Sequence, residues 1–142
     1  MILHVDSDAA YLVLPKARSR IAGFLRLRNK QNNTHKQENG AILVECKALR
    51  WVVTSAAEAE THGVYHNTII AINFRTILNA MRHHQPITPI QTDNSTTEGF
   101  VNKTMTLKKS KSWDMHLHFL RDKEIQKVIK VYWGKGKTTF VK

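Results

Sequence analysis

The sequence contains a single cysteine, Cys46, among 142 residues. An intramolecular disulfide is therefore excluded, and a lone thiol suits a reducing compartment, where it acts as a small core side chain without a redox role. Long apolar runs are lacking as well. GAILV and TIIAI fall far short of the roughly 20 residues that a membrane-spanning helix needs. The N-terminus, MILHVDSD, carries acids where a secretory signal has a basic start, so the chain is expected to be soluble and intracellular, in cytoplasm or nucleus. Asn32-Asn33-Thr34, Asn94-Ser95-Thr96 and Asn102-Lys103-Thr104 match the glycosylation acceptor pattern, but without a secretory signal the match has no consequence. There is no internal repeat, and low complexity is confined to LKKSKS and GKGKTT.

Acids are scarce too, at 11 Asp plus Glu against 22 Lys plus Arg, which gives a net charge of +11 and a pI near 10.1. That balance favours a polyanion as partner, nucleic acid first among them. The excess is uneven: residues 103–142 hold 11 basic and 3 acidic side chains, so the basic footprint is mainly C-terminal. The length predicts one domain over residues 1–142, burying about two thirds of its unfolded surface.

Periodicity orders the elements. Ile2, Leu3 and Val5 open a short strand that ends at DSDAA. In IAGFLRLR, Leu25 and Leu27 alternate with Arg26 and Arg28, which predicts a strand with a wet, basic face. AILVECKAL alternates Ile42, Val44 and Cys46 against Leu43, Glu45 and Lys47 as a third strand, and three strands in series predict an antiparallel meander. From Ser55 to about Arg82 the spacing of Val64, Ile70, Phe74, Ile77, Leu78 and Met81 changes to that of a long helix with a buried stripe. Pro86 and Pro89 mark a loop; IQTD is a fourth strand, NSTTEGFVNK a short helix, SWDMHLHFLRDKEIQ a further helix and KVIKVYW a fifth strand. The predicted order is βββαβααβ.

Of the eight acids in residues 1–102, five fall in three short places: Asp6 and Asp8, Glu58 and Glu60, and Asp93. They stand at the end of the first strand, the start of the long helix and the end of the fourth strand. In so basic a chain this suggests a divalent-metal site, because Mg²⁺ prefers carboxylate oxygens and phosphodiester hydrolysis needs such ions. Simpler roles stand beside it, since isolated acids at element ends are usually caps or solvated groups. Ser55 with Glu58 three positions on is a capping box, which accounts for Glu58. Glu60, in line with Val64 at i+4, points toward the sheet, where an unpaired carboxylate is costly to bury.

VDSDAAY, TSAAEAETHGV, IQTDNS and SKSWDMHLHFLRDK together resemble, in order, the motifs of the ribonuclease H domain in copia-type retrotransposon Pol polyproteins, from Asp8 to about Trp133. The resemblance implies an α/β, ribonuclease H-like fold: a mixed five-stranded sheet, its first three strands antiparallel, flanked by helices. It also implies Mg²⁺- or Mn²⁺-dependent hydrolysis of the RNA strand of an RNA/DNA hybrid. Position by position, it places the catalytic, metal-holding acids on Asp8, Glu60 and Asp93. Asp6 has no counterpart, and Asp114 matches a structural or substrate-facing position. Water would attack in line with the departing 3′ oxygen and leave a 5′-phosphate, with Asp8 and Asp93 holding ions on both sides of the phosphate and Glu60 completing one shell.

The resemblance breaks at the end, where the family carries a fourth metal-binding aspartate in a terminal helix. Here the chain reads GKGKTTFVK, with no acid after Glu124 and Lys142 about where that acid would stand. The expectation is a domain truncated at its C-terminal helix, with three carboxylates. Two functions follow: a working hybrid nuclease, or a retroelement remnant that only binds nucleic acid. In either, Arg26, Arg28, Lys108, Lys109 and Lys111 would hold phosphates, although LKKSKS also fits a solvated loop. An integrase order of Asp, Asp, Glu does not fit, because position 128, 35 beyond Asp93, is Val. A zinc site from His62 and His66 with His116 or His118 has no cysteine pair or second spaced His motif to support it.

Overall fold

The computed structural model describes residues 2–15, 18–28, 38–50, 56–92 and 111–133. Strands β1 (Ile2–Leu14), β2 (Arg18–Arg28) and β3 (Glu38–Ala48) are followed by helix α1 (Ala56–Ala80), strand β4 (Thr88–Thr92), helix α2 (Lys111–Ile125) and strand β5 (Ile129–Trp133). The helix expected over NSTTEGFVNK lies outside the described residues. No described helix is long and apolar enough to cross a membrane.

One mixed sheet has the strand order β3-β2-β1-β4-β5. The first three strands pair antiparallel, and β1 pairs with β4, and β4 with β5, in parallel. A parallel return cannot be made by a tight turn, and α1 supplies the connection from the meander to β4. Alternation along β1 separates two faces. Leu3 and Val5 enter a core with Leu25, Val64, Ala71, Ile90, Leu117, Leu120, Ile129 and Val131, so both helices cover the same face. His4, Asp6 and Asp8 point to the other face. β1 runs to Leu14, beyond the end expected at DSDAA, because it pairs with β2 over most of its length.

Within α1 the buried residues lie between Glu58 and Ala71, and two members of the expected stripe are not buried. Ile77 is 54% and Met81 62% exposed. At 3.6 residues per turn, Ala71, Leu78 and Glu60 lie within about 40° of Val64, whereas Ile77 lies about 140° round the helix. Cys46 is exposed rather than a core side chain. It shares the outer face of β3 with Val44, 62% exposed, because the register that pairs Val44 with Phe24 turns those residues away from α1. The opposite face of β3 carries Glu45, whose carboxylate meets His66 of α1 at 3.2 Å.

Candidate active site

Asp8 stands on the central strand just past the last described pairing with β4, Ser7 with Thr92. Its Oδ1 accepts from the Ala9 N–H at 2.9 Å, and Glu60 Oε1 accepts from the same N–H at 3.2 Å. One backbone donor thus draws together a carboxylate from β1 and one from the first turns of α1. Glu60 is 6% exposed, so its charge lies largely out of water, next to a second carboxylate. Two hard oxygen donors in that relation would suit a divalent cation such as Mg²⁺ or Mn²⁺. Asp93, the third acid expected here, follows Thr92 directly in the chain and lies outside the described residues. Among the described residues no group of three His, Cys, Asp or Glu side chains is gathered as a ligand set.

The depth of α1 decides whether Glu60 reaches β1, and it is set two turns further on. Asn67, on the same stripe as Glu60, is 1% exposed and donates from Nδ2 to Ser7 Oγ at 2.9 Å and to the Ala22 carbonyl at 3.0 Å. Two glycines make room for this joint. A Cβ at Gly23 would collide with Asn67 Oδ1, and one at Gly63 would meet Ser7 Oγ and Ile21 Cγ2 at 3.4 Å and the Asp8 carbonyl at 3.5 Å. The helix therefore lies close against the residues on either side of Asp8. Sequence reasoning passed over Asn67 and Gly23, although both left a signal: a polar residue at a core-facing helix position, and a glycine inside a strand.

Glu58 faces a different neighbour. It is 4% exposed and lies 3.6 Å from His62 Nε2, on the side of α1 that meets α2. There the His62 and His116 rings pack edge to face at 4.4 Å, and His116 stacks on Tyr65 at 4.0 Å. Burial lowers the His62 pKa against the opposing pull of Glu58. Burial, and then His62, lower that of His116 to about 4. Both imidazoles are neutral at pH 7. Ser55, the other half of the expected capping box, lies outside the described residues. His66 turns away to Glu45 and His118 is exposed, so the zinc grouping does not assemble.

On the face away from the helices, the wet strip expected on β2 is not wet. Arg26 is 2% exposed, with Nη2 3.2 Å from Asp6 Oδ2, itself fully buried. The register that sets Phe24 opposite Asp6 brings the next same-face side chain, Arg26, over β1, and the buried ion pair removes Arg26 from the solvent-facing phosphate contacts expected of it. Arg28 is half-buried. His4 Nδ1 lies 3.7 Å from Asp6 Oδ1, yet burial, then Arg28 and Arg26, push its pKa down to about 3, so His4 is neutral. Its Nε2 meets Tyr132 Oη at 2.7 Å, and that hydroxyl donates to Gln91 Oε1 at 3.1 Å. Asp6 is therefore engaged by Arg26, while Asp8 is the aspartate that shares a donor with Glu60. Lys108 and Lys109, and the side chains of Lys111 and Asp114, lie outside the described residues.

No protein-family model and no curated protein sequence matches the chain. Its backbone is nevertheless similar to solved structures. LC11-RNase H1, isolated from compost and solved with an RNA/DNA hybrid, superposes with a TM-score of 0.68 at 7% identity, over 97% of this chain and 88% of that one. Ribonuclease H1 of the archaeon Halobacterium salinarum gives 0.62 at 11% identity, over 97% and 89%. The ribonuclease H domain of prototype foamy virus gives 0.51 at 15% identity, over 95% and 78%. With the same mixed five-stranded sheet, antiparallel over its first three strands and helix-covered, the chain has the ribonuclease H-like fold.

Proposed function

We propose that this chain is a ribonuclease H-type hydrolase of copia-type retroelement origin that cuts the RNA strand of RNA/DNA hybrids with Mg²⁺ or Mn²⁺. The observation that carries the proposal is the convergence of Asp8 and Glu60 on the Ala9 N–H, on the central strand just past its described pairing with β4. The superposition on a ribonuclease H1 solved with an RNA/DNA hybrid supports it, as does the net charge of +11. The copia-type origin rests on the order of the four sequence motifs.

Asp8, Glu60 and Asp93 would hold the metal. When bound, it supplies charge stabilisation for the phosphodiester and lowers the pKa of a coordinated water. The protein's own part is positional. The Ala9 N–H holds one oxygen of each of Asp8 and Glu60 and so keeps the two carboxylates side by side. Asn67 and the two glycines hold α1 near enough to β1 for that to happen, and the closely packed helix keeps Glu60 from being solvated as an ordinary surface acid.

The test is cleavage of an end-labelled RNA/DNA hybrid by the purified chain in Mg²⁺ and in Mn²⁺. Activity lost in Glu60→Gln and Asp93→Asn but kept in Glu58→Gln is the expected result. Binding of the hybrid with no cleavage in either metal would replace the proposal by a nucleic-acid-binding protein without chemistry.

A further inference from the structure

Three arginines meet at the Asp8 end of the sheet. Arg18 and Arg20 lie on β2, and Arg50 follows β3. The Leu49 N–H donates to the Ser19 carbonyl at 2.8 Å, which extends past Ala48 the register that sets Arg20 opposite Ala48. Continued by one residue, that register sets Arg18 opposite Arg50. Ser19, Ile21 and Leu49 are buried toward α1, the last two with Ala59. Alternation therefore turns Arg18 and Arg20 to the opposite face, and cross-strand pairing turns Arg50 with them.

That is the face of Asp8. Arg20 pairs with Ala10 and Ala22 pairs with Asp8, so Arg20 stands two strand positions, about 7 Å, from the residue beside the carboxylate. All three arginines are exposed, and their side chains form no hydrogen bond or ion pair among the described residues. Like charges set opposite one another on paired strands repel, and no acid of β2 or β3 shares their end of that face. Among the described residues, the acid nearest to them in register on that face is Asp8. Guanidinium groups suit a row of phosphates, because each offers a planar fork to two oxygens.

We propose that Arg18, Arg20 and Arg50 form a phosphate-binding strip that grips the backbone of an RNA/DNA hybrid beside Asp8 and sets which phosphodiester reaches the carboxylates. This deepens the ribonuclease H reading and rests on it for the identity of the duplex. The strip takes the place of Arg26, which is engaged inside the sheet.

Fluorescence anisotropy with a labelled RNA/DNA hybrid in EDTA, over 50–200 mM KCl, tests it without cleavage. Each phosphate contact contributes about 0.9 to the slope of log K against log salt. The Arg18→Ala/Arg20→Ala/Arg50→Ala protein is expected to lose about 2–3 from that slope and more than tenfold in affinity at the lowest salt, with an unchanged circular dichroism spectrum. Lysine at all three positions should restore most of the slope. The control is Arg82→Asn, at the far end of α1 in a left-handed conformation (φ 63°) that Asn tolerates; it should change neither quantity. An unchanged slope in the triple variant, an equal loss in Arg82→Asn, or no binding by the unaltered chain overturns the proposal. Cleavage in Mg²⁺ separates this from the functional reading. Cleavage with an unchanged slope sinks the strip alone; a flattened slope in a chain that never cleaves sinks the nuclease alone.

Discussion

The joint between Asn67 and Gly23 gives a prediction with a sign that ordinary destabilisation cannot mimic. In Gly23→Ala the new Cβ collides with Asn67 Oδ1, and the amide must leave Ser7 Oγ and the Ala22 carbonyl, 2.9 and 3.0 Å away. Two buried hydrogen bonds at about 1 kcal/mol each, with some desolvation left uncompensated, make this about 2–3 kcal/mol. Asn67→Ala forfeits the same two bonds and leaves a small void, again about 2–3 kcal/mol. The double variant loses those bonds once, and the methyl introduced at position 23 fills space that the amide has vacated. Its cost should therefore be no larger than that of one single variant, giving a coupling of about −2 kcal/mol. Urea unfolding of the four proteins, with a common slope, measures it. Additive costs, with the double variant at about 5 kcal/mol, would refute the account of the joint. If the joint also sets the reach of Glu60, both single variants should bind Mn²⁺ more weakly under conditions where they remain folded.

Other outcomes follow from the buried groups. Arg26→Met, which removes the guanidinium from the buried Asp6 carboxylate, should cost about 3–5 kcal/mol, and adding Asp6→Leu should recover much of that in chemical denaturation. His4 is neutral in the fold with a pKa of about 3, whereas the unfolded chain takes up the proton near 6.5. Its contribution is thus fully present above pH 6.5 and lost as the pH falls toward 3; His4→Gln should flatten the stability profile there by up to about 1.4 kcal/mol per pH unit. Leu120, fully buried where α2 meets the core, should cost about 2–5 kcal/mol on truncation to Ala in the same assay.

Much of the architecture is legible in local pattern. Period-two alternation over β2 and β3 and the heptad-like spacing of α1 place those elements within a few residues. The motif order anticipates the fold that the superpositions show. The assignment of faces is less legible. LRLR reads as apolar against basic, but β1 supplies Asp6 across the sheet, and an ion pair buries the arginine that alternation alone would leave in water. Ile77 and Met81 fit a helical stripe by spacing but not by angle, a distinction that becomes real only once the sheet fixes which side of α1 is covered.

What the sequence by itself determined is the order of elements and the presence of acids at their ends, because propensity, periodicity and turn chemistry act over a few residues. It also limits Glu58 and Glu60 to different sides of one helix. Only the tertiary structure decided that Glu60 meets the Ala9 N–H beside Asp8, that Glu58 turns to His62, that Asp6 engages Arg26, and that Arg18, Arg20 and Arg50 crowd one end of the sheet. Those outcomes depend on strand register and helix depth, which bring together residues tens of positions apart and are fixed by packing around Gly23, Gly63 and Asn67.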